Sequence, residues 1–178
     1  MDNCEVYLGL KSMEKLERDV YGDRKASNVY KNAAKRVKSG IQNELYNDAV
    51  SLYRSAKFID GTYAEADLNV WYPGTTHLAW PHLFEVIEPQ ELTAQIQMSE
   101  LNNSWDGDPN PDWTRSVVDE NGFTWPSIGY AALLAGDSPR VQAHAALIVY
   151  MKFTDFPYPF TVDEAGWLLR TLFLIKGR

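Results

Sequence analysis

One cysteine, three histidines and, across residues 58–139, a single basic residue are what this 178-residue chain has least of. Cys4 alone cannot form an internal disulfide and excludes any all-cysteine metal site. No basic stretch leads into an apolar run with a small-residue cleavage site, so no signal peptide is expected. Apolar runs such as "AALIVYM" at 145–151 fall far short of the roughly 20 residues that a membrane helix needs. These absences predict a protein of a reducing compartment, the cytoplasm, with no membrane partner. Signatures of phosphate, dinucleotide and serine-hydrolase chemistry are also missing: there is no GxxxxGK[ST], GxGxxG or GxSxG. "GDSPR" around Ser138 reads as a helix cap. No cofactor is expected, and no repeat or low-complexity tract interrupts the chain.

What is present is an ordinary globular composition, 45% hydrophobic and 23% charged, with enough chain for a core that needs no staples. The charge, −7 in total, is unevenly spread. Residues 24–57 hold eight Lys/Arg against two acids, whereas 58–139 hold thirteen acids against Arg115 alone. Such a bipolar chain can steer a charged partner or satisfy itself within one fold.

Local signals place the elements. A first helix is expected from Ser12 over 13–20, with Met13, Leu16 and Val20 on one side and Gly22 just past its end. From 27 to 57, apolar residues recur at Val29, Ala33, Val37, Ile41, Leu45, Ala49, Leu52 and Ala56. This predicts one long helix, or two nearly collinear ones broken at Ser39–Gly40, with Asp60–Gly61 as the exit turn. Aromatic and β-branched residues punctuated by proline predict short strands near 68–72 and 82–87. Pro89 opens a helix through Leu101 with Leu92 and Ile96 inward, and "TRSVVDENGFTW" (114–125) reads as a hairpin about Asn121–Gly122. A helix over 127–135 stops at Gly136. Ser138 then caps an apolar helix over 139–153, expected at the centre of the core, and Thr161 with Glu164 forms a capping box for a last helix to about Ile175. The expected fold is α+β: a single, predominantly helical domain with a small antiparallel sheet or hairpin in its middle. Its parts are a helical stretch with a long basic helix (1–60), an acidic, aromatic-rich stretch with short strands (61–125) and a helical core (126–178).

Chemistry is sparse. Asp106, Asp108, Asn110 and Asp112 alternate as calcium-loop oxygens do, but Pro111 stands at position six and Val117 at position twelve, where the loop needs glycine and glutamate. Prolines 109 and 111 stiffen the segment. Trp105, Asp106, Asp108, Asp112 and Trp113 therefore form a candidate interaction surface, not a metal site. His77 and His82, with Glu85 or Glu88 nearby, would be the ligands of a metal-assisted hydrolase, but their spacing is not HExxH and Pro81 separates them. Packing explains them more simply, and His144 reads as a core histidine. Lys31, Lys35 and Lys38, at i, i+4 and i+7, form a candidate basic face. It could follow a phosphate backbone, yet the chain's acidity argues against nucleic acid as the main partner.

The functional expectation is a non-enzymatic protein–protein interaction module. It would act as an inhibitor or adaptor through its acidic, Trp-bearing surface on a basic, nucleic-acid-handling protein. Two alternatives stand beside it: a self-associating component of an assembly such as a viral one, a homo-oligomer held by opposite charges, and the metal-assisted hydrolase.

Overall fold

In the computed structural model, residues 2–106, 125–153 and 161–176 are described, with side chains from 105–106 and 147–153 left aside. Among the described residues the fold is α+β and predominantly helical, with seven α-helices and two two-stranded antiparallel hairpins. The chain falls into two compact units, Met1–Gln97 and Met98–Arg178.

The first unit begins with α1 (Asp2–Leu16), which runs into a π-helical turn at Glu17–Tyr21. Gly22, in the left-handed region at φ +69°, ends it by donating its N–H to Glu17 O. The helix therefore starts ten residues before the expected Ser12. Its buried side carries Cys4 and Tyr7, while Leu16 and Val20 are exposed. The Asp23 carboxylate then accepts from the N–H groups of Lys25 and Ala26, both at 2.9 Å, and caps α2 (Arg24–Gly40). Helix α1 packs along α2. The buried stripe of α2 is Ser27, Ala34 and, one π-turn on, Ile41, so the every-fourth-residue series is displaced: Val29 is exposed.

The helical run expected to reach 57 stops at Leu45, after a π-helical turn at Ile41–Leu45. Side-chain competition ends it. Asn47 turns its own carbonyl oxygen onto Ala49 N–H, an alternative to a helical bond. Tyr46 and Tyr53 then face one another across a hairpin, ring centroids 5.1 Å apart. Strands β1 (Tyr46–Asn47) and β2 (Leu52–Tyr53) make that hairpin, and β3 (Ala56–Lys57) and β4 (Tyr63–Ala64) make the next. The Asp60–Gly61 turn is a hairpin tip rather than a helix exit.

No strand forms at 68–72 or 82–87. Asp67 accepts from Asn69 N–H in a local turn. A 3₁₀ turn at Thr76–Ala79 leads into the short α3 (Trp80–Leu83), with Pro81 in its first turn, a position proline favours. The N–H groups of Val86 and Ile87 return to Pro81 O. Trp80 Nε1 donates to Glu5 Oε1 (3.2 Å) and Lys11 pairs with Glu85 (2.7 Å), tying α3 and its exit to α1. Helix α4 (Leu92–Asp106) starts three residues after Pro89, leaving Leu92 exposed and Leu101 buried.

The second unit contains α5 (Pro126–Ala135), α6 (Ser138–Phe153) and α7 (Val162–Lys176). As expected, Gly136 ends α5 in the left-handed region, and Thr161 and Glu164 exchange capping bonds at the start of α7. The cap of α6 lies one residue earlier than expected. Asp137, not Ser138, accepts the Arg140 N–H and also takes Asn102 Nδ2 at 3.1 Å. Ile128, Ala131 and Ala132 of α5 are fully buried, and the Tyr130 ring packs tilted at 42° against Trp167 of α7, centroids 5.5 Å apart. Val141 and His144 are the buried described side chains of α6. The hairpin expected at 114–125 lies outside the described residues.

Candidate functional site

The most strongly defined exposed feature of the first unit is the tip of the β3–β4 hairpin. Lys57 pairs with Tyr63 and Ala56 with Ala64. Phe58 N–H donates to Thr62 O at 2.8 Å and Gly61 N–H to Phe58 O at 3.0 Å. Asp60 Oδ1 accepts twice from Thr62, from N–H at 2.9 Å and from Oγ1 at 2.7 Å. Those bonds, the hydroxyl's first, hold the Asp60 carboxyl below its usual range. Gly61 sits at φ +88°, where a side chain would be strained.

The stem is braced as firmly. The Arg54 guanidinium lies 4.3 Å from the Tyr63 ring centroid and pairs with Glu65 at 2.9 Å, to which Asn47 also donates. Lys57 pairs with Glu44 on the preceding π-turn. These contacts lower the pKa of Glu65 and of Glu44, chiefly through the hydrogen bonds from Arg54 and Lys57. The result is a finger whose backbone is fully specified and whose tip shows apolar side chains to water. Phe58 is 53% exposed and Ile59 is fully exposed. Exposed Asp60, Tyr63, Asp67 and Tyr72 surround or follow it in the chain. Among the described residues neither Asp60 nor Asp67 has an ion-pair partner.

The opposite charge is carried by α2. Its outer face holds Arg24, Lys25, Lys31, Lys35 and Arg36, all exposed, with Asn28, Asn32 and Ser39 between them and no carboxylate. Lys31 and Lys35, two of the three residues weighed as a basic face, are exposed here. Lys38 is half-buried, its Nζ 5.9 Å from the Tyr7 ring centroid. Elsewhere in the unit Lys11, Arg18, Arg54 and Lys57 each have a carboxylate. Among the described residues none of the α2 cations does, so the acidic stretch does not neutralise this helix there. Between the end of α2 and β3 opens a cleft of about 580 Å³. Val37, Ile41, Ala56 and Pro73 make its apolar wall, and Asp2, Glu44 and Lys57 its charged rim.

The residues weighed for hydrolysis are placed differently. His77 is buried, with Nδ1 3.0 Å from Pro73 O and Nε2 2.9 Å from Tyr53 O. Both nitrogens thus face backbone carbonyl oxygens, so neither is open to a metal ion. Burial lowers its pKa and the two carbonyls oppose that shift. Glu85, exposed and paired with Lys11, also lies away from ligand duty. Among the described residues no group of three His, Cys, Asp or Glu side chains could hold a metal ion. His82 is buried in α3. Cys4 is buried in α1, and burial pushes its thiol up to about 11, so little thiolate exists near neutrality.

Trp105 and Asp106 end α4 with side chains outside the described set, and Asp108, Asp112 and Trp113 lie outside it altogether. The finger was missed because the expected helix takes in Ala56 and Lys57 and makes Asp60–Gly61 its exit turn. The legible signal was Phe58–Ile59–Asp60–Gly61–Thr62: two large apolar residues leading into Asp–Gly, a strong hairpin signal. Among the described residues no helix is long and apolar enough to cross a membrane. No protein-family model matches the chain, and neither a curated protein nor a solved structure matches it significantly.

Proposed function

We propose that this chain is a non-enzymatic protein–protein interaction module. It acts as an inhibitor or adaptor that engages a basic partner, of the kind that handles nucleic acid, through an acidic surface bearing apolar and aromatic anchors. The observation that supports this reading is the capped finger. Two large apolar side chains exposed on a rigid tip, beside the Asp60 carboxylate, which has no ion-pair partner among the described residues, match the composition of a contact centre with a charged rim. Fully burying a Phe or an Ile stabilises a complex by about 1.5–3 kcal/mol each. Because the turn is already ordered, association avoids part of the ordering cost, about 0.5–1.5 kcal/mol per immobilised side chain. The Asp60 carboxylate at the tip adds on-rate and selects for positive partners. The Trp-bearing stretch 105–113 belongs to the same acidic part of the sequence.

The test is affinity capture with the wild type and with F58S/I59S, two substitutions on exposed side chains that leave the core intact. A basic partner retained by the wild type, shed as salt rises and lost by the variant is the expected result. Equal retention by both proteins, or retention indifferent to salt, overturns the reading.

A further inference from the structure

The finger needs a basic surface with an apolar foothold, and the chain itself carries one. On α2, residues one turn apart share a strip of the helix surface, since i and i+4 are neighbours. Lys25, Val29 and, after Ala33, Arg36 fall along one such strip, and Val29 is 62% exposed in the middle of it. Val20 and Tyr21, just upstream of the helix, are exposed as well. The α2 face therefore offers an apolar foothold, Val29, among cations, and the finger offers Phe58 and Ile59 beside the Asp60 carboxylate.

Arg54 and Lys57, the finger's own cations, are already held by Glu65 and Glu44. Asp60 and Asp67, and the α2 cations, have no ion-pair partner among the described residues. Both surfaces lie in the same unit, Met1–Gln97.

We infer that the basic partner of the finger is a second copy of this chain: the Phe58–Ile59 tip of one copy docks on the outer face of α2 of the next. This rests on the finger being the contact surface. The contact joins two different patches, so it is heterologous, and each copy keeps one finger and one α2 face unused until a further copy arrives. Association therefore propagates into a ring or a filament. A nucleic acid on α2 is the competing occupant, and it would bring its phosphates up to a chain whose residues 58–139 carry thirteen acids.

Two variants and their mixture decide the matter. K25E/K31E/K35E reverses three of the five exposed charges of the α2 face and keeps the finger. F58S/I59S removes the finger and keeps the α2 face. All five positions are exposed, and circular dichroism and thermal melting verify that both variants fold. By sedimentation velocity the wild type, a 20.3 kDa chain, gains mass with concentration. It returns toward the monomer as salt rises from about 0.1 M to about 1 M and the Debye length shrinks from about 10 Å to about 3 Å. Each variant alone stays monomeric, and the mixture forms a one-to-one dimer that grows no further.

A monomeric wild type over the whole range overturns the inference, as does a variant that still associates alone or a mixture that stays monomeric. A monomeric wild type that shifts a fluorescent duplex DNA, with the shift lost in K25E/K31E/K35E, assigns α2 to nucleic acid instead. If the wild type is monomeric but still captures a basic protein through Phe58 and Ile59, only the second copy is wrong. If it does neither, the contact role of the finger falls with it.

Discussion

Asp60 holds Thr62 through one carboxylate oxygen, accepting the backbone N–H at 2.9 Å and the hydroxyl at 2.7 Å. That pair, with Gly61 at φ +88° between its members, is what makes the hairpin tip a fixed shape rather than a loose loop. Asp60→Asn keeps an acceptor oxygen and removes the charge, while Thr62→Val removes only the hydroxyl. The asparagine variant is expected to keep slow hydrogen exchange at Phe58 and Gly61 and to lose salt-dependent association. The valine variant is expected to exchange faster and to bind more weakly at every salt concentration, because ordering the tip then opposes binding. Equal behaviour of the two would deny that shape and charge contribute separately.

A second close relationship lies in the other unit. A Cβ added at Gly129 would stand 2.2 Å from His144 Cδ2 and 2.4 Å from its Nε2, so the imidazole occupies the space that the glycine leaves on α5. Gly129→Ala is expected to destabilise by about 2–3 kcal/mol, as overpacking does. The double variant G129A/H144A is expected to cost less than the sum of the single changes, since removing the ring removes the clash. Urea denaturation of the four proteins measures this coupling. Strict additivity would place the ring elsewhere.

The same histidine sets a pH dependence. Burial lowers its pKa from 6.5 to about 4. The unfolded chain thus takes up a proton near 6.5 that the folded chain refuses until near 4. Its contribution is complete above about pH 6.5, is lost as the pH falls through that window, and levels off below about 4. The loss is on the order of 3 kcal/mol. His77, also lowered by burial, adds in the same direction. Urea midpoints measured between pH 7 and pH 4 are expected to fall for the wild type and to fall less for His144→Gln. A flat wild-type profile would contradict the buried, neutral imidazole.

Gln97 supports the hairpins from below. Its Oε1 accepts Tyr53 N–H at 3.2 Å and its Nε2 donates to Ser51 O at 2.8 Å, so a fully buried side chain bonds β2 much as another strand would. His77 takes the next carbonyl, Tyr53 O. Gln97→Ala takes this partner from the buried Tyr53 N–H and the part-buried Ser51 O and is expected to cost about 2–4 kcal/mol. Gln97→Glu is expected to cost more, because the donor to Ser51 O is lost and a charge is buried. Chemical denaturation distinguishes them, and a change under about 0.5 kcal/mol for either would sink the clamp.

These cases show where local patterns in the chain were informative. Helix ends with a side-chain or glycine mechanism were readable: Gly22, Gly136 and the Thr161–Glu164 box all stand where the residues placed them. The α+β class followed from the same punctuation. Between Leu45 and Ala64 the pattern misled, because Leu45, Leu52 and Ala56 fit a helical period and a pair of short hairpins equally well. Asn47 and the Tyr46–Tyr53 pair decided the outcome, through a turn bond and a cross-strand contact that no periodicity expresses. At 68–87 the aromatic, proline-broken text resembled strands, yet His77 and Pro81 serve in turns whose buried polar partners, Tyr53 O and Pro73 O among them, come partly from distant residues. The charge spacing marked Lys31 and Lys35, which are exposed, and Lys38, which is half-buried. The Asp60–Gly61 turn was readable too, but the exposure of Phe58 and Ile59 was not, since the tertiary fold alone determines it.

The central claim is that the Phe58–Ile59 tip is a contact surface, and a photo-activatable amino acid at position 59 tests it most directly. Placed there in the living cell, with a control at exposed Gln95 of α4, it reports what touches the tip. The account predicts a strong, salt-sensitive cross-link from position 59, mapping to a basic surface and, if the partner is a second copy, to residues 24–36 of α2. Cross-linking from position 59 no stronger than from position 95 would contradict it.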